Sequence, residues 1–131
     1  MTFCTRLYND LQSNGVRCWY FPEDAKWGQP VWVEIDRTIR VYDKLIVVCS
    51  KHSLQSAPVL REIERTLQRE DRESSNKILL ITLDRYIFDE WEHPRKADVI
   101  AKVVGSFEGW SRSAVKYTGA LEKLIKALRA P

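Results

Sequence analysis

The side chains best suited to nucleophilic or metal chemistry are few and scattered in this sequence. Its three cysteines, Cys4, Cys18 and Cys49, form no C-x-x-C pair, and its two histidines, His52 and His93, lie far apart. A metal site needs such ligands at close spacing, so none is predicted. Cys18 and Cys49 lie in apolar runs, where a free cysteine usually packs as a small buried hydrophobic residue. A Cys–His pair could arise only if the fold assembled it.

Carboxylates that could act in catalysis are concentrated in one predicted helix, which begins at Pro58 and continues to about Arg72. The apolar stripe of this helix consists of Val59, Leu60, Ile63 and Leu67. Glu62 and Glu64 flank that stripe on opposite edges. Periodicity alone therefore predicts solvated charges at both positions, and it gives Glu70 and Glu73 the same interpretation.

Length and composition predict a single domain over residues 1–131, because 44% apolar residues suffice for one contiguous core. The 21 basic and 18 acidic residues are spread along the chain and give a net charge of +3, so neither nucleic acid nor a membrane surface is an expected partner. The apolar stretches are much shorter than the roughly 20 residues that span a bilayer. Residues 1–10 lack the features of a secretory signal, which predicts a cytosolic protein.

Helical and extended patterns alternate along the chain. Helices are predicted at residues 2–13, 31–41, 58–72, 97–102 and about 117–128, and strands at 16–20, 44–49, 77–83 and 103–107. Strands that are apolar on both faces are typical of a parallel sheet covered by helices on both sides. Such sheets bind ligands beyond the carboxyl ends of their strands, which here indicates the loops after Tyr20, Cys49 and Leu83. The glycine-rich motifs of dinucleotide-binding and P-loop folds are absent from the sequence.

A series of short motifs follows these elements in a fixed order. They are Arg6-Leu7, Gly15-Val16-Arg17-Cys18-Trp19, Pro22-Glu23-Asp24, Ile35-Asp36, Asp43-Lys44-Leu45, Glu62-Ile63 and Phe107-Glu108-Gly109-Trp110. Together they resemble a bacterial TIR (Toll/interleukin-1 receptor) domain from about residue 3 to residue 128. The resemblance implies a flavodoxin-like, three-layer α/β fold with a doubly wound parallel sheet.

Resemblance to catalytic TIR domains implies cleavage of NAD at the bond between nicotinamide and ribose. Positive charge develops at the ribose carbon, and the pyridinium departs as neutral nicotinamide, so the reaction needs no general acid of the kind glycosidases use. One carboxylate aimed at the ribose can stabilise the developing charge. Glu62 matches the position of the catalytic glutamate in the family. NAD would be the substrate, and no cofactor is expected.

The resemblance also implies substrate-binding positions at Trp19, Phe21, Trp27, Ser50 and Pro58. Phe21 and Trp27 belong to the loop that caps the substrate site in the family and also contacts other domains. Trp27 could stack on a base, anchor a partner or fold back onto the core. Ser50 lies just past a strand, where its hydroxyl could face a ligand or only stabilise a turn. Pro58 stands where many TIR enzymes carry a tryptophan.

The family's first strand, which lies centrally in the sheet, is missing at the start of this chain. Either Met1 is not the true start, or the strand is replaced by another segment. An unfilled strand position inside the sheet would leave buried backbone N–H and C=O groups without hydrogen-bond partners, which costs free energy. We therefore expect residues 16–20 to pair directly with residues 44–49, or a neighbouring chain to supply a strand.

Two functions from different classes are compatible with the resemblance. The first is an NAD glycohydrolase or ADP-ribosyl cyclase of bacterial immune signalling, activated by self-association; whether water or the adenine ring attacks the ribose stays open. The second is a non-catalytic adaptor that binds other TIR domains by homotypic contact. The missing strand and Pro58 favour the adaptor, whereas Glu62 favours the enzyme.

Overall fold

The computed structural model describes residues 3–20, 38–41, 44–73 and 77–129, and a five-stranded sheet lies at its centre. The strands are β1 (Cys18–Tyr20), β2 (Thr38–Val41), β3 (Lys44–Cys49), β4 (Ile78–Thr82) and β5 (Val103–Ser106). Their order across the sheet is the same as their order in the chain. Four of the five coincide with strands predicted from the sequence.

The second half of the sheet is parallel. β3 pairs with β4, and β4 pairs with β5, with an irregularity in register between Leu80 and Ile81. Every residue of β4 and all but the first of β3 are buried. Because these runs are apolar at successive positions, both faces of the sheet must be covered, as the sequence predicts.

Helices provide that cover. They are α1 (Phe3–Ser13), α2 (Ala57–Glu73), α3 (Tyr86–Asp89), α4 (Lys96–Ile100) and α5 (Ala114–Arg129), with a 3₁₀ helix at Ser53–Gln55. The periodicity predicts α1, α2 and α5 closely and α4 within two residues at either end. The one-turn helix α3 was not predicted, because four residues are too few to establish a helical period.

Two separate cores lie on the two faces of the sheet. On one face, α1 and α5 pack against alternate strand residues such as Ile46, Val48 and Ile81. On the other face, α2, α3 and α4 pack against the intervening residues, among them Val47 and Leu80. This is the predicted three-layer, flavodoxin-like α/β arrangement, and it confirms the expected fold class.

The prediction of a helix through residue 41 is wrong over its last four residues. Residues 38–41 form β2, which is antiparallel to both of its neighbours, β1 and β3. Ile39 and Val41 are fully buried in the core that α1 covers. The four-residue spacing of Ile35 and Ile39 fits a helix, but the alternation of Thr38-Ile39-Arg40-Val41 fits a strand equally well, and the sheet decides between them. Residues 31–37 lie outside the described residues.

β2 also corrects the expectation for the missing strand. β1 does not pair directly with β3, because a segment of the same chain, β2, occupies the position between them. The register places Ile39 opposite Ile46 in β3, and Tyr20 opposite Ile39 in β1. The sheet is therefore parallel over β3, β4 and β5 and antiparallel over β1, β2 and β3. Replacement within the chain satisfies the backbone groups that an open slot would leave unpaired.

Candidate functional site

The carboxyl ends of β3, β4 and β5 lie together at one edge of the sheet, as parallel pairing requires. Backbone hydrogen bonds continue past the strands: the Leu83 N–H donates to the Cys49 carbonyl (2.9 Å), and the Phe107 N–H donates to the Thr82 carbonyl (2.7 Å). The loops that follow these strands therefore start side by side. In doubly wound sheets this edge is where ligands bind.

Ser50, the predicted substrate-binding residue after β3, takes part in a turn with Ser53. The Ser50 N–H donates to the Ser53 hydroxyl oxygen (2.8 Å), and the Ser53 N–H donates to the Ser50 hydroxyl oxygen (3.3 Å). Ser53 is buried, whereas Ser50 is half-buried. These hydrogen bonds stabilise the turn that leads into the 3₁₀ helix. Stabilising a turn was one of the two roles that the sequence allowed for Ser50.

Asp84 joins two of the loops at this edge, although it was not among the site residues predicted from the sequence. Its Oδ2 accepts a hydrogen bond from the Lys51 N–H (3.1 Å), and its Oδ1 accepts one from the Tyr86 N–H (3.0 Å). The second bond, from the residue two positions on, is typical of aspartate turns and could have been suspected from an Asp just past a buried strand. The first bond spans 33 residues and depends on the fold.

Pro58 and Glu62 lie on the amino-terminal half of α2, four residues apart and thus on neighbouring turns of one helix face. Pro58 is in the first turn, where its missing N–H costs no hydrogen bond. Because α2 follows the loop that leaves β3, this half of the helix starts from the same edge of the sheet. Val59, Ile63 and Leu67 anchor α2 to the core below it.

The glutamates of α2 differ in exposure and in partners. The Glu62 side chain is 12% exposed, and its Oε1 lies 2.9 Å from Nη1 of Arg65, which is 62% exposed. The Glu64 side chain is 39% exposed, and its Oε1 lies 3.7 Å from Nε2 of His93. Glu62 and Glu64 thus flank the stripe as predicted, but Glu62 is the more shielded of the two.

Glu70 is buried and holds other parts of the fold together, so its predicted role as a solvated charge is wrong. Its Oε2 accepts hydrogen bonds from the backbone N–H groups of Lys77 (2.6 Å) and Ile78 (3.0 Å), at the start of β4. Its Oε1 lies 2.7 Å from Nζ of Lys102, just before β5. These contacts are at the amino ends of the strands, opposite the edge that carries Ser50 and Asp84. Glu73 is exposed, as the periodicity predicts.

The remaining predicted site residues belong to β1 and the loop after it. Trp19 is in β1, where it is in register with Arg40 of β2. Phe21 and Trp27 lie outside the described residues. The structure thus describes the environment of Ser50, Pro58 and Glu62, and these three predicted positions follow one another along the segment from the end of β3 into α2.

This fold and this order of elements agree with a comparison against protein families. A family model described as TIR domain matches residues 1–124. The chain belongs to the TIR domain family. No curated protein and no solved structure gives a significant match to it.

The cysteines of this TIR domain are buried, and burial makes Cys18 and Cys49 poor nucleophiles. None of the three is in a disulfide, and Cys18 and Cys49 are packed in the cores, as expected from their apolar runs. Burial raises the pKa of Cys18 to about 11. Burial, and to a smaller extent the charge of Asp84, raises the pKa of Cys49 as well. Both thiols are therefore protonated at neutral pH, whereas a nucleophile must be a thiolate.

Neither a metal-binding cluster nor a membrane-spanning helix is present among the described residues of the TIR domain. Among residues 3–20, 38–41, 44–73 and 77–129, no three His, Cys, Asp or Glu side chains lie close enough to hold a metal ion. Within the same ranges, no helix is long and apolar enough to cross a membrane.

Proposed function

We propose that this TIR domain cleaves NAD between nicotinamide and ribose, with Glu62 as the catalytic carboxylate. The observation that supports the proposal is the partial shielding of Glu62, whose side chain is 12% exposed against 39% for Glu64. A carboxylate partly withdrawn from water interacts more strongly with a developing positive charge than a solvated one does. Glu70 is more shielded still, at 8% exposed, but the backbone of β4 and Lys102 occupy it.

The proposed chemistry breaks one bond and forms one. The bond from the ribose carbon to the pyridinium nitrogen breaks, and its electron pair leaves with nicotinamide, which becomes neutral. The carboxylate of Glu62 stabilises the cationic ribose as it forms. Attack by water then gives ADP-ribose and a proton, whereas attack by the adenine ring gives a cyclic product.

Arg65 would moderate this effect. Its guanidinium is paired with Glu62 at 2.9 Å, but it is 62% exposed, so water screens its charge. Charge neutralisation by Arg65 is accordingly incomplete, and the ion pair fixes the orientation of the Glu62 side chain. The three free, buried cysteines are consistent with a reducing compartment, and we place the proposed activity in the cytosol.

The test is nicotinamide release from NAD by concentrated protein, separated by chromatography. We expect Glu62→Gln to lower the rate by about 10²–10³, because Gln keeps the size of Glu but loses its charge. Glu64→Gln is the matched control and should keep nearly the full rate. Thermal midpoints of both variants should equal that of the parent, since exchanges of this kind usually change stability by less than about 0.5 kcal/mol.

Each of two results would contradict the proposal. Activity that survives in Glu62→Gln would remove Glu62 from the mechanism. An inactive parent protein, even when concentrated, would favour the second candidate function, in which the domain binds other TIR domains as an adaptor. That candidate is favoured by an exposed groove beside α5, where Val115 is 83% exposed to solvent.

A further inference from the structure

Asp84 continues the link between β3 and β4 beyond the point where strand pairing ends. The last paired residues of the two strands are Cys49 and Thr82. The Leu83 N–H then donates to the Cys49 carbonyl (2.9 Å). The Lys51 N–H, two residues past Cys49, donates to Oδ2 of Asp84 (3.1 Å). A side-chain carboxylate thus takes the place of a backbone carbonyl in the next link, and it fixes the start of the loop after β3 to the loop after β4.

The loop after β3 leads into α2 through consecutive backbone hydrogen bonds. The Leu54 N–H donates to the Ser50 carbonyl (3.0 Å), and the next bond runs from the Ser56 N–H to the Ser53 carbonyl (3.0 Å). The Leu60 N–H, in the first turn of α2, donates to the Ser56 carbonyl (3.0 Å). Because Ser53, Leu54 and Ser56 are buried, little water competes for these bonds. The position of the loop therefore determines where α2 starts.

The apolar contacts of α2 determine its position along its own axis less tightly than the loop does. Val59, Ile63 and Leu67 pack on the core below the helix. Such a stripe fixes which face of the helix meets the sheet and how far the helix lies from it. Apolar contact is non-directional, so it resists a small slide along the axis less than hydrogen bonds at the helix start do. The axial position of α2 therefore depends on the loop after β3.

Glu62 depends on this axial position because it lies in the amino-terminal half of α2. It follows Ala57, the first residue of the helix, by about 7.5 Å along the axis. A carboxylate stabilises a developing cation only when it is already aimed at the position where the charge appears. A displacement of about 1 Å, even one caused far from the reacting atoms, can lower a rate by about 10². Whatever fixes the start of α2 therefore affects the chemistry proposed for Glu62.

We propose that Asp84 is a positioning residue for the cleavage of NAD. Through its hydrogen bond from the Lys51 N–H, it fixes the start of α2 and thereby places the Glu62 carboxylate for reaction. Asp84 acts through Glu62 and does not contact the substrate in this role. The inference rests on the proposed function, and it adds a residue of the loop after β4 to a site otherwise formed by the segment from the end of β3 into α2.

The variant Asp84→Asn breaks the long-range hydrogen bond and keeps the local one. The amide oxygen of Asn can still accept from the Tyr86 N–H, whereas its NH₂ group cannot accept from the Lys51 N–H. We expect kcat for nicotinamide release to fall about tenfold, and KM to stay within about twofold because the positioned group acts in the transition state. Asp89→Asn is the matched control, since it removes the same charge from an exposed side chain paired with Arg85, and it should keep the parental rate.

A double-mutant cycle with Glu62→Gln separates positioning from support of the fold. If Asp84 acts through the Glu62 carboxylate, Asp84→Asn has little further effect once that charge is gone. The tenfold loss should therefore shrink to less than about twofold in the Glu62→Gln background. A variant that merely unfolded part of the protein would lose the same factor in both backgrounds.

Amide hydrogen exchange, followed by NMR spectroscopy, gives a measurement that needs no substrate. In Asp84→Asn, the amides of Lys51 and Leu60 should exchange at least about threefold faster than in the parent, because the loop and the first turn of α2 are less firmly held. The amide of Val47, which is buried in β3, should exchange as in the parent.

Failure of this inference and failure of the proposed function give different results. A parental kcat in Asp84→Asn, with Glu62→Gln impaired, would remove Asp84 from the mechanism and leave Glu62 in it. An equal loss in both backgrounds would show that Asp84 only supports the fold, and unchanged exchange at Lys51 would show that the link does not fix the loop. An inactive parent, or full activity in Glu62→Gln, would overturn the proposed function and the positioning role with it.

Discussion

At the scale of single residues, the carboxylates of α2 show that sequence position does not fix a side chain's role. Glu62, Glu64 and Glu70 belong to one helix, and each has a different partner: Arg65 on the same helix, His93 beyond α3, and the backbone of β4 with Lys102. Only the first partner is local. Helical periodicity predicts on which side of the apolar stripe of α2 a glutamate lies. The role of that glutamate depends on which residues of other elements contact it.

Glu70 gives a prediction about stability. Glu70→Ala would leave the N–H groups of Lys77 and Ile78 and the ammonium of Lys102 without their shared acceptor, so we expect the free energy of unfolding to fall by about 3 kcal/mol. Urea denaturation measures the change. Glu73→Ala is the control, because its partner Arg69 is 3.5 Å away and Glu73 is 48% exposed, and it should change stability by less than about 0.5 kcal/mol. Equal midpoints for the two variants would contradict the structural role of Glu70.

At the scale of the elements, β2 is the feature that most changes the expected architecture. Four residues fill an interior position in the sheet, between β1 and β3, and reverse the direction of pairing there. Their apolar side chains complete the core under α1, and their backbone groups pair on both sides. A short alternating segment that is ambiguous by itself becomes a strand because the neighbouring strands need hydrogen-bond partners.

The pairing of β2 can be tested by NMR spectroscopy. We expect extended backbone chemical shifts for residues 38–41 and cross-strand contacts between Ile39 and Ile46 and between Thr38 and Val47. Amide exchange should be slow in this segment because it is paired on both sides. A helical segment would instead give helical chemical shifts and contacts between residues three and four apart. That result would support the helix predicted from the sequence and contradict the pairing of β2.

A separate test of β2 uses packing. Ile39→Ala should lower the free energy of unfolding by about 2–5 kcal/mol, because Ile39 is completely buried in the core. Val115→Ala is the control, because Val115 is 83% exposed and should tolerate the change with almost no loss. Similar small effects at both positions would show that Ile39 does not pack in the core.

At the scale of the whole molecule, buried weak acids link the stability of the domain to pH. Burial raises the pKa of Cys18, Cys49 and Tyr117. For Tyr117, the hydrogen bond from its hydroxyl to Asp10 raises the pKa further, while the nearby Arg6 opposes the shift. This hydrogen bond joins α5 to α1, so the neutral form of Tyr117 is the one that stabilises the packing of these two helices.

We therefore expect the domain to lose stability at alkaline pH. In the unfolded chain the thiols ionise near pH 9, whereas Cys18 in the folded chain keeps its proton to about pH 11. The folded state then binds more protons, so stability is complete below pH 9 and falls as pH rises, by about 1.4 kcal/mol per pH unit for each such group. Chemical denaturation at pH 7, 9 and 10 measures this slope. Stability that stays level or rises over this range would contradict the burial of these groups.

The sequence by itself determined most of the domain's regular structure. Apolar runs without alternation identified the central parallel strands, and stripes spaced by three and four residues identified α1, α2 and α5, because these patterns follow from local backbone geometry and burial. The ordered motifs also identified the TIR family, and the family model confirms it. Glu62 was selected by the same resemblance.

Tertiary structure decided what depends on contacts between distant segments. It made residues 38–41 a strand, assigned Glu70 to the backbone of β4, and tied Asp84 to Lys51 across 33 residues. It also placed α1 and α5 on one face of the sheet and α2 on the other. None of these features can be recognised from the local sequence. Each is stabilised by contacts with residues that are distant in sequence and become neighbours only in the folded chain.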